Sequence, residues 1–377
     1  MYNHVLIILD DSRWTSTGVT QSIAEMEYTH DPAKYFDKPI YTPHLDNLMQ
    51  TGAWFWRAHV MAPICRPSIR SFLTGVYLRH MHTIAKGDKI DLDIHTLLSH
   101  HMAEMGFYGL HCGKWYEPDP KTLGFAESDE GWHQSTPDIF RATLEPIPNF
   151  LDRMKQVQQP WWIYCMPKLP HSPFGGWPDD IAIMYEGDGD KKYKRNMTYA
   201  DRRIGEIIQK LDETGLREKT IIWVWNDNGT GLPGPSKNSF GENGMRTFLI
   251  ANGPGIIPQR YNYLINVLDM GKTMLDYAGV QPPAWEGTSF RPLLEGQPQS
   301  WQQYLFEQAE NAGKIAIQNF RWKIYVKTDN EEIVQAYDLL VDPFEERNLW
   351  NGARTTPYVA DAAQVMVPIL LDWWRDG

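Results

Sequence analysis

Uninterrupted apolar runs, more than strict alternation, mark the first three quarters of the chain. Residues 4–9, 161–166, 220–225 and 247–251 each read as a strand buried on both faces. Runs of that kind belong to mostly parallel sheets with helices on either side. Residues 53–60 and 107–112 add two more predicted strands. Between strands the apolar spacing lengthens to three or four residues. Thr42 reads as an N-cap with Pro43 at the first helical position; Leu45, Leu48 and Met49 share a face, and Gly52 stops the helix. Asp91 or Asp93 is expected to cap a helix that runs through Met105 and closes at Gly106. Residues 148–157 are expected to be helical, and 193–211 form a long amphipathic helix through Met197, Ala200, Ile204, Ile207, Ile208 and Leu211. A further helix is expected over 264–277. The stretch from Ser12 to about Ile40 is too rich in Thr, Asp, Tyr and Pro to predict an element.

The pattern changes after Pro282-Pro283. Short alternating segments at 303–307, 314–318, 322–327 and 335–339 precede a helix near 360–374. The expected architecture is therefore α/β: a mostly parallel sheet sandwiched by helices over residues 1–283, then a small antiparallel sheet with a terminal helix over 284–377.

Composition narrows the class. A net charge of −11 argues against a nucleic-acid backbone as the main partner. No apolar run is long enough to cross a bilayer, and the start of the chain lacks the features of a secretory signal, so a cytoplasmic location is expected. The three cysteines, Cys65, Cys112 and Cys165, cannot build a disulfide framework. Sixteen Trp and 18 Tyr offer stacking walls for sugars or aryl groups as well as core.

Polar residues gather where predicted strands end. Asp10-Asp11 follow the first strand, Lys114 follows 107–112, His171 follows 161–166, and Asp227-Asn228 follow 220–225. In an open α/β sheet these ends share the edge where ligands bind. Each acidic pair alone also fits an ordinary turn, and Lys114 and Lys237 alone also fit solvated surface lysines. Together, three carboxylates and one amide carbonyl form a hard oxygen set suited to Ca²⁺ or Mg²⁺, whereas no closely spaced His/Cys set suits zinc. Cys65 stands just before a predicted helix opened by Pro67, faced by Phe72 and Leu73 and stopped by Gly75. A thiol there meets free N–H groups and the positive end of the helix dipole.

These residues resemble, in order along nearly the whole chain, the type I sulfatases of the alkaline-phosphatase-like superfamily. The matching segments are Val5 to Asp11, Thr42-Pro43-His44-Leu45-Asp46, Cys65-Arg66-Pro67-Ser68 with Leu73-Thr74-Gly75, Gly113-Lys114-Trp115, Pro170-His171-Ser172-Pro173, Asp227-Asn228-Gly229, and Lys237 with Glu242, Gly244 and Arg246. Tyr337-Asp338-Leu339 with Asp342-Pro343 resembles the C-terminal signature. The resemblance implies a metal-dependent sulfuric ester hydrolase. Asp10, Asp11, Asp227 and Asn228 would ligate the metal, usually Ca²⁺, together with the group at Cys65. A formylglycine-generating enzyme would convert Cys65 to formylglycine, whose hydrate is the nucleophile. Lys114, Lys237 and Arg70 would bind the sulfate, and His171 would assist the leaving group. The implied partners are a small anionic ester and the maturation enzyme, with no nucleic acid, no membrane and a possible homo-oligomer.

Three positions depart from the family pattern. Ile69 stands where the Cys-x-Pro-Ser-Arg motif has arginine, and Arg70 follows one place later, about 100° around a helix. Tyr116 replaces a histidine after Gly-Lys-Trp, and Val76 replaces an arginine after Thr-Gly. Two other readings therefore stay open: a phosphodiesterase or phosphonate monoester hydrolase on the same scaffold, and a silent binding protein that keeps the Cys65 thiol.

Overall fold

The computed structural model describes residues 1–27, 39–81, 90–92, 95–129, 146–230, 237–281, 285–297, 300–308 and 313–376. The strands are β1 (Asn3–Leu9), β2 (Ala53–His59), β3 (Tyr108–Gly113), β4 (Glu127–Asp129), β5 (Trp161–Met166), β6 (Thr220–Asn226), β7 (Arg246–Asn252), β8 (Gln259–Asn266), β9 (Leu305–Gln308), β10 (Lys314–Gln318), β11 (Trp322–Lys327) and β12 (Ile333–Asp338). The first eight form one sheet in the order β4-β3-β5-β1-β6-β7-β2-β8. Only β7 runs against its neighbours β6 and β2; the other pairings are parallel. The last four form an antiparallel sheet in the order β12-β11-β10-β9. The expected α/β architecture with a small antiparallel sheet is therefore present.

The long apolar runs are explained by coverage of both faces. Leu6 and Ile8 of β1 pack into one core with Trp162, Tyr164, Trp223 and Trp225. Val5, Ile7 and Leu9 pack into the opposite core with Trp161, Ile163, Ile222 and Val224. Successive side chains alternate faces, and both faces are dry, so no polar position interrupts the run. The principal helices are α1 (Gly18–Glu27), α2 (Pro43–Thr51), α3 (Cys65–Thr74), α4 (Leu98–Glu104), α5 (Pro146–Met154), α6 (Asp190–Thr214), α7 (Val267–Tyr277) and α8 (Pro357–Arg375). Helices α3, α4 and α7 cover the first face, and α2, α5 and α6 the second. Helix α8 covers the small sheet through Val359, Ala363, Met366 and Leu370.

Several expectations shift. Helix α1 lies within the stretch that carried no prediction. Residues 264–266 end strand β8, and the helix starts at Val267 because Asn266 accepts from the Leu268 and Asp269 amides (2.8 and 3.1 Å) while Asp269 accepts from the Asn266 amide (2.9 Å). Helix α4 begins at Leu98, with Leu97 and not Asp91 at its N-cap. Asp93 lies outside the described residues, as does the expected domain boundary between 283 and 284. Strands β4 and β8 were not predicted. They sit at the two edges of the sheet, where half the side chains meet water and the apolar signal is weak.

Candidate active site

Parallel pairing of β1 with β6 sets Leu9 opposite Asn226, so the residues that follow emerge side by side. The Asp227 amide donates to the Leu9 carbonyl (3.1 Å), and the Asp11 amide donates to Asp227 Oδ1 (2.9 Å). Asp11 has φ 59°, a left-handed conformation that turns its carboxylate back over the sheet edge. Asn226 supports that turn: its Nδ2 donates to the Ser12 carbonyl at 2.7 Å. Its role left no motif in the sequence.

The other strand ends supply the remaining groups. Lys114, just beyond β3, donates through Nζ to both Asp10 oxygens at 2.8 Å. Lys237 Nζ reaches both Asp11 oxygens (2.6 and 2.7 Å) and stands 3.4 Å from Cys65 Sγ. His171 Nε2 is 3.3 Å from Asp11 Oδ2. Cys65 opens α3, with Sγ 3.5 Å from Asp10 Oδ1 and 3.6 Å from Asp11 Oδ1. Ligand atoms of Asp10, Asp11, Cys65 and Asp227 all lie within 4.8 Å of one another. Residues as distant as Asp11 and Lys237, 226 positions apart, thus share one pocket of chemistry.

Three carboxylates against two ammonium groups leave the cluster net negative. Burial, then the Asp10 charge, pushes the Asp227 carboxyl well above the usual range. Burial also raises Asp10, but Lys114, with His171 and Lys237, outweighs it and leaves that carboxyl low. Burial opposes the charge on Lys114, but Asp10 and the neighbouring groups together outweigh it and hold the lysine charged, and residue 65 with Asp11 and Asp10 does the same for Lys237. The Cys65 thiol is pushed up by burial and by Asp227 and Asp10, so an unmodified sulfur here is a poor nucleophile. Asp227 Oδ2 and Asn228 Oδ1 are buried without a hydrogen-bond partner. Unpartnered buried acceptors are costly. A cation would satisfy them, and the oxygen donors of Asp10, Asp11, Asp227 and Asn228 fit a hard divalent one.

Residues 2–280 match the family model described as Sulfatase, and residues 236–368 match N-sulphoglucosamine sulphohydrolase, C-terminal. The chain belongs to the sulfatase family. It is 25% identical to a choline-sulfatase of Rhizobium meliloti (strain 1021) over 410 residues, covering 84% of this chain and 78% of the relative. An ulvan-active sulfatase of Formosa agariphila is 22% identical, over 94% of this chain and 79% of its own length. The fold is shared with Ps i-CgsB, solved in complex with k-i-k-neocarrahexaose, at TM-score 0.80 and 19% identity, covering 100% of this chain and 92% of that one. A phosphonate monoester hydrolase of Agrobacterium radiobacter shares it at TM-score 0.78 and 16% identity, covering 98% and 95%. As a sulfatase, the protein is a hydrolase of sulfuric esters, and its family is metal-dependent. Among the described residues, no helix is long and apolar enough to cross a membrane.

The departures from the sulfatase motif now have structural meaning. Ile69 is packed into the core beneath α3, at 1% exposure, and leaves no charge at that position. Arg70 does not take over there. Its Nε and Nη2 donate to Glu117 at 2.6 and 3.2 Å, both side chains being buried, and Glu117 also accepts from the Ile90 amide. The structure gives Arg70 a carboxylate partner three residues beyond Lys114. Glu117 escaped the sequence reading because nothing local marks a pair 47 residues apart. Tyr116 sets its ring 5.3 Å from Lys114 Nζ, and burial raises its phenol, which stays neutral.

Proposed function

We propose that this sulfatase works through a formylglycine hydrate made from Cys65, with calcium bound by Asp10, Asp11, Asp227 and Asn228. The substrate would be the sulfate ester of a sugar or of a small alcohol or phenol. The observation that carries this reading is the pair of unpartnered acceptors, Asp227 Oδ2 and Asn228 Oδ1, beside a helix-opening residue 65 that Lys237 reaches at 3.4 Å. The names of the relatives, which include choline-sulfatase, ulvan-active sulfatase and N-acetylgalactosamine-6-sulfatase, support a small or saccharide sulfate. The three free cysteines suit a reducing, cytoplasmic setting.

The roles follow from charge and position. Lys114 and Lys237 hold the sulfate oxygens and oppose the charge that grows on them as the ester bond breaks. The divalent ion, when bound, supplies further positive charge to the same oxygens. The formylglycine hydrate supplies one hydroxyl to attack sulfur and a second whose deprotonation frees the sulfate. His171 Nε2 delivers a proton to the departing ester oxygen, which leaves as the neutral alcohol. The buried floor of Asp10 and Asp227 keeps water from shielding these charges.

Two measurements test the proposal together. Mass analysis of the Cys65 peptide is expected to show replacement of the thiol by an aldehyde, installed by a formylglycine-generating enzyme. Turnover is expected to favour a sulfate ester over the phosphate ester of the same phenol. An intact thiol without turnover would instead support the binding reading that Ile69 leaves open. Faster phosphate hydrolysis would move the protein to the phosphonate-type chemistry.

A further inference from the structure

The loop that carries His171 is held from two sides. On one, the Asp10 amide donates to the Leu169 carbonyl at 3.0 Å, which ties the loop to the acidic turn. On the other stands Asn196, on the second turn of α6 and 0% exposed. Its Nδ2 donates to two successive carbonyls, Pro170 and His171, both at 3.1 Å. Its Oδ1 accepts from Trp177 Nε1 at 2.7 Å. Both amide protons are used on the loop, and the oxygen that orients the amide is fixed by the indole. The imidazole is set in turn: Nδ1 contacts the Ser172 carbonyl, which can only accept, so Nδ1 carries a proton, and the proton that Nε2 delivers is the second one of an imidazolium ring facing the Asp11 carboxylate. The same stretch of α6 braces the acidic turn, since Tyr193 Oη accepts from the Arg13 amide at 3.1 Å.

We propose that Asn196 is a positioning residue for proton delivery: it fixes the height and direction of His171 Nε2 over the leaving oxygen. The proposal rests on the leaving-group role of His171. A buried amide gripping consecutive carbonyls is more than packing needs, because an apolar side chain of similar size would fill the same space. A shift of about 1 Å in a catalytic group can cost about a hundredfold in rate. That loss falls on esters whose alcohol needs a proton and spares those, such as 4-nitrophenyl sulfate, whose phenolate leaves unaided.

The test compares kcat on an alkyl sulfate and on 4-nitrophenyl sulfate in the metal-loaded, matured enzyme. His171→Ala sets the reference, and it is expected to lower alkyl sulfate turnover far more than nitrophenyl sulfate turnover. Asn196→Leu is expected to follow it, losing about a hundredfold on the alkyl ester and less than tenfold on the nitrophenyl ester, with KM for the nitrophenyl ester and metal content unchanged. Trp177→Phe, which deletes the indole donor and keeps an aromatic ring against the core, is expected to show a smaller loss with the same selectivity, and it serves if Asn196→Leu does not fold. Equal losses on both esters, or none, in these variants beside a selective His171→Ala would overturn the Asn196 proposal alone. An unselective His171→Ala would overturn the role of His171 and the proposal with it.

Discussion

Asp10, Asp11 and Asp227 at the ends of β1 and β6 form one buried carboxylate triplet, and Glu242, Glu307 and Glu345 at the junction with the small sheet form another. The difference between them lies in how their cations are placed. Lys323 of β11 is 0% exposed and sits among the three glutamates, its Nζ 2.9 Å from Glu242, 2.8 Å from Glu307 and 3.2 Å from Glu345. Lys323 donates a hydrogen bond to Glu242, whereas Glu307 has only the ion-pair contact and both its oxygens are buried without a hydrogen bond. His59 adds a contact to Glu242 at 3.0 Å, and Tyr325 donates to Glu345 at 2.6 Å. At the sheet edge, by contrast, Lys114 spends itself on both oxygens of Asp10 and Lys237 on both oxygens of Asp11, and Asp227 keeps an oxygen with no partner. The first arrangement carries its own cation, one ammonium within ion-pair distance of all three carboxylates, at a joint between two sheets. The second has no ammonium donating to Asp227, which suits the proposed binding of a divalent ion there.

The largest effect is expected at the open triplet. Asp227→Ala should abolish divalent-ion binding, measured by calorimetry, and lower sulfatase turnover at least about a thousandfold. Calcium should raise the melting temperature of the wild type and leave that of the variant unchanged. Retained activity with retained metal would remove Asp227 from the ligand set. At the closed triplet, Lys323→Met strands three buried carboxylates and should destabilise the fold by about 3–5 kcal/mol in urea unfolding. A neutral result there would mean that the joint is not electrostatic.

A smaller contrast is readable in pH. Burial pushes the Glu345 carboxyl up to about 7 against the pull of Lys323, while Lys323 and His59 overcome burial to hold Glu242 well below its ordinary value. A carboxyl raised in the folded state binds more protons there than in the unfolded chain between its ordinary value and about 7. Its contribution to stability is therefore complete below its ordinary value and is lost as pH rises through about 7. For Glu242 the order reverses: its contribution is present above its ordinary value and is lost only in acid. Glu345→Gln should flatten the decline in unfolding free energy between pH 5 and pH 7 by about 1 kcal/mol, and an unaltered slope would assign that decline to other groups. The smallest expected change is none: Glu307→Gln should leave one bound divalent ion per chain with unchanged affinity, because the closed triplet already holds its cation. A lost or weakened ion would show that His59, Glu242 and Glu307 bind metal after all.

Much of the fold was legible because burial on both faces of a sheet writes itself as local apolar runs. The strands β1, β5, β6 and β7 were found nearly to the residue, and the long helix α6 from its spacing. The start of α7 was missed because Leu264 and Ile265 continue an apolar run that fits strand and helix alike until Asn266 caps it. Of the site's groups, Asp10, Asp11, Lys114, His171, Asp227 and Asn228 were legible as chemistry at strand ends, Cys65 as a residue opening a helix and Lys237 only through the family resemblance, and the structure brings them together. The pairing of Arg70 with Glu117 was not legible, since the resemblance offered only a sulfate role for that arginine.

By itself, then, the sequence determined the layered α/β scaffold, the order in which strands deliver polar residues to one edge, and the family to which those residues point. Tertiary structure alone decided the pairings: Lys114 on Asp10, Arg70 on Glu117, Asn196 on the His171 loop, and Lys323 in the joint. The physical reason is range. Burial of a strand or helix face is a property of neighbours along the chain, and its period can be read there. The partner of a buried charge is set by which strand ends adjoin, across separations such as the 226 residues between Asp11 and Lys237.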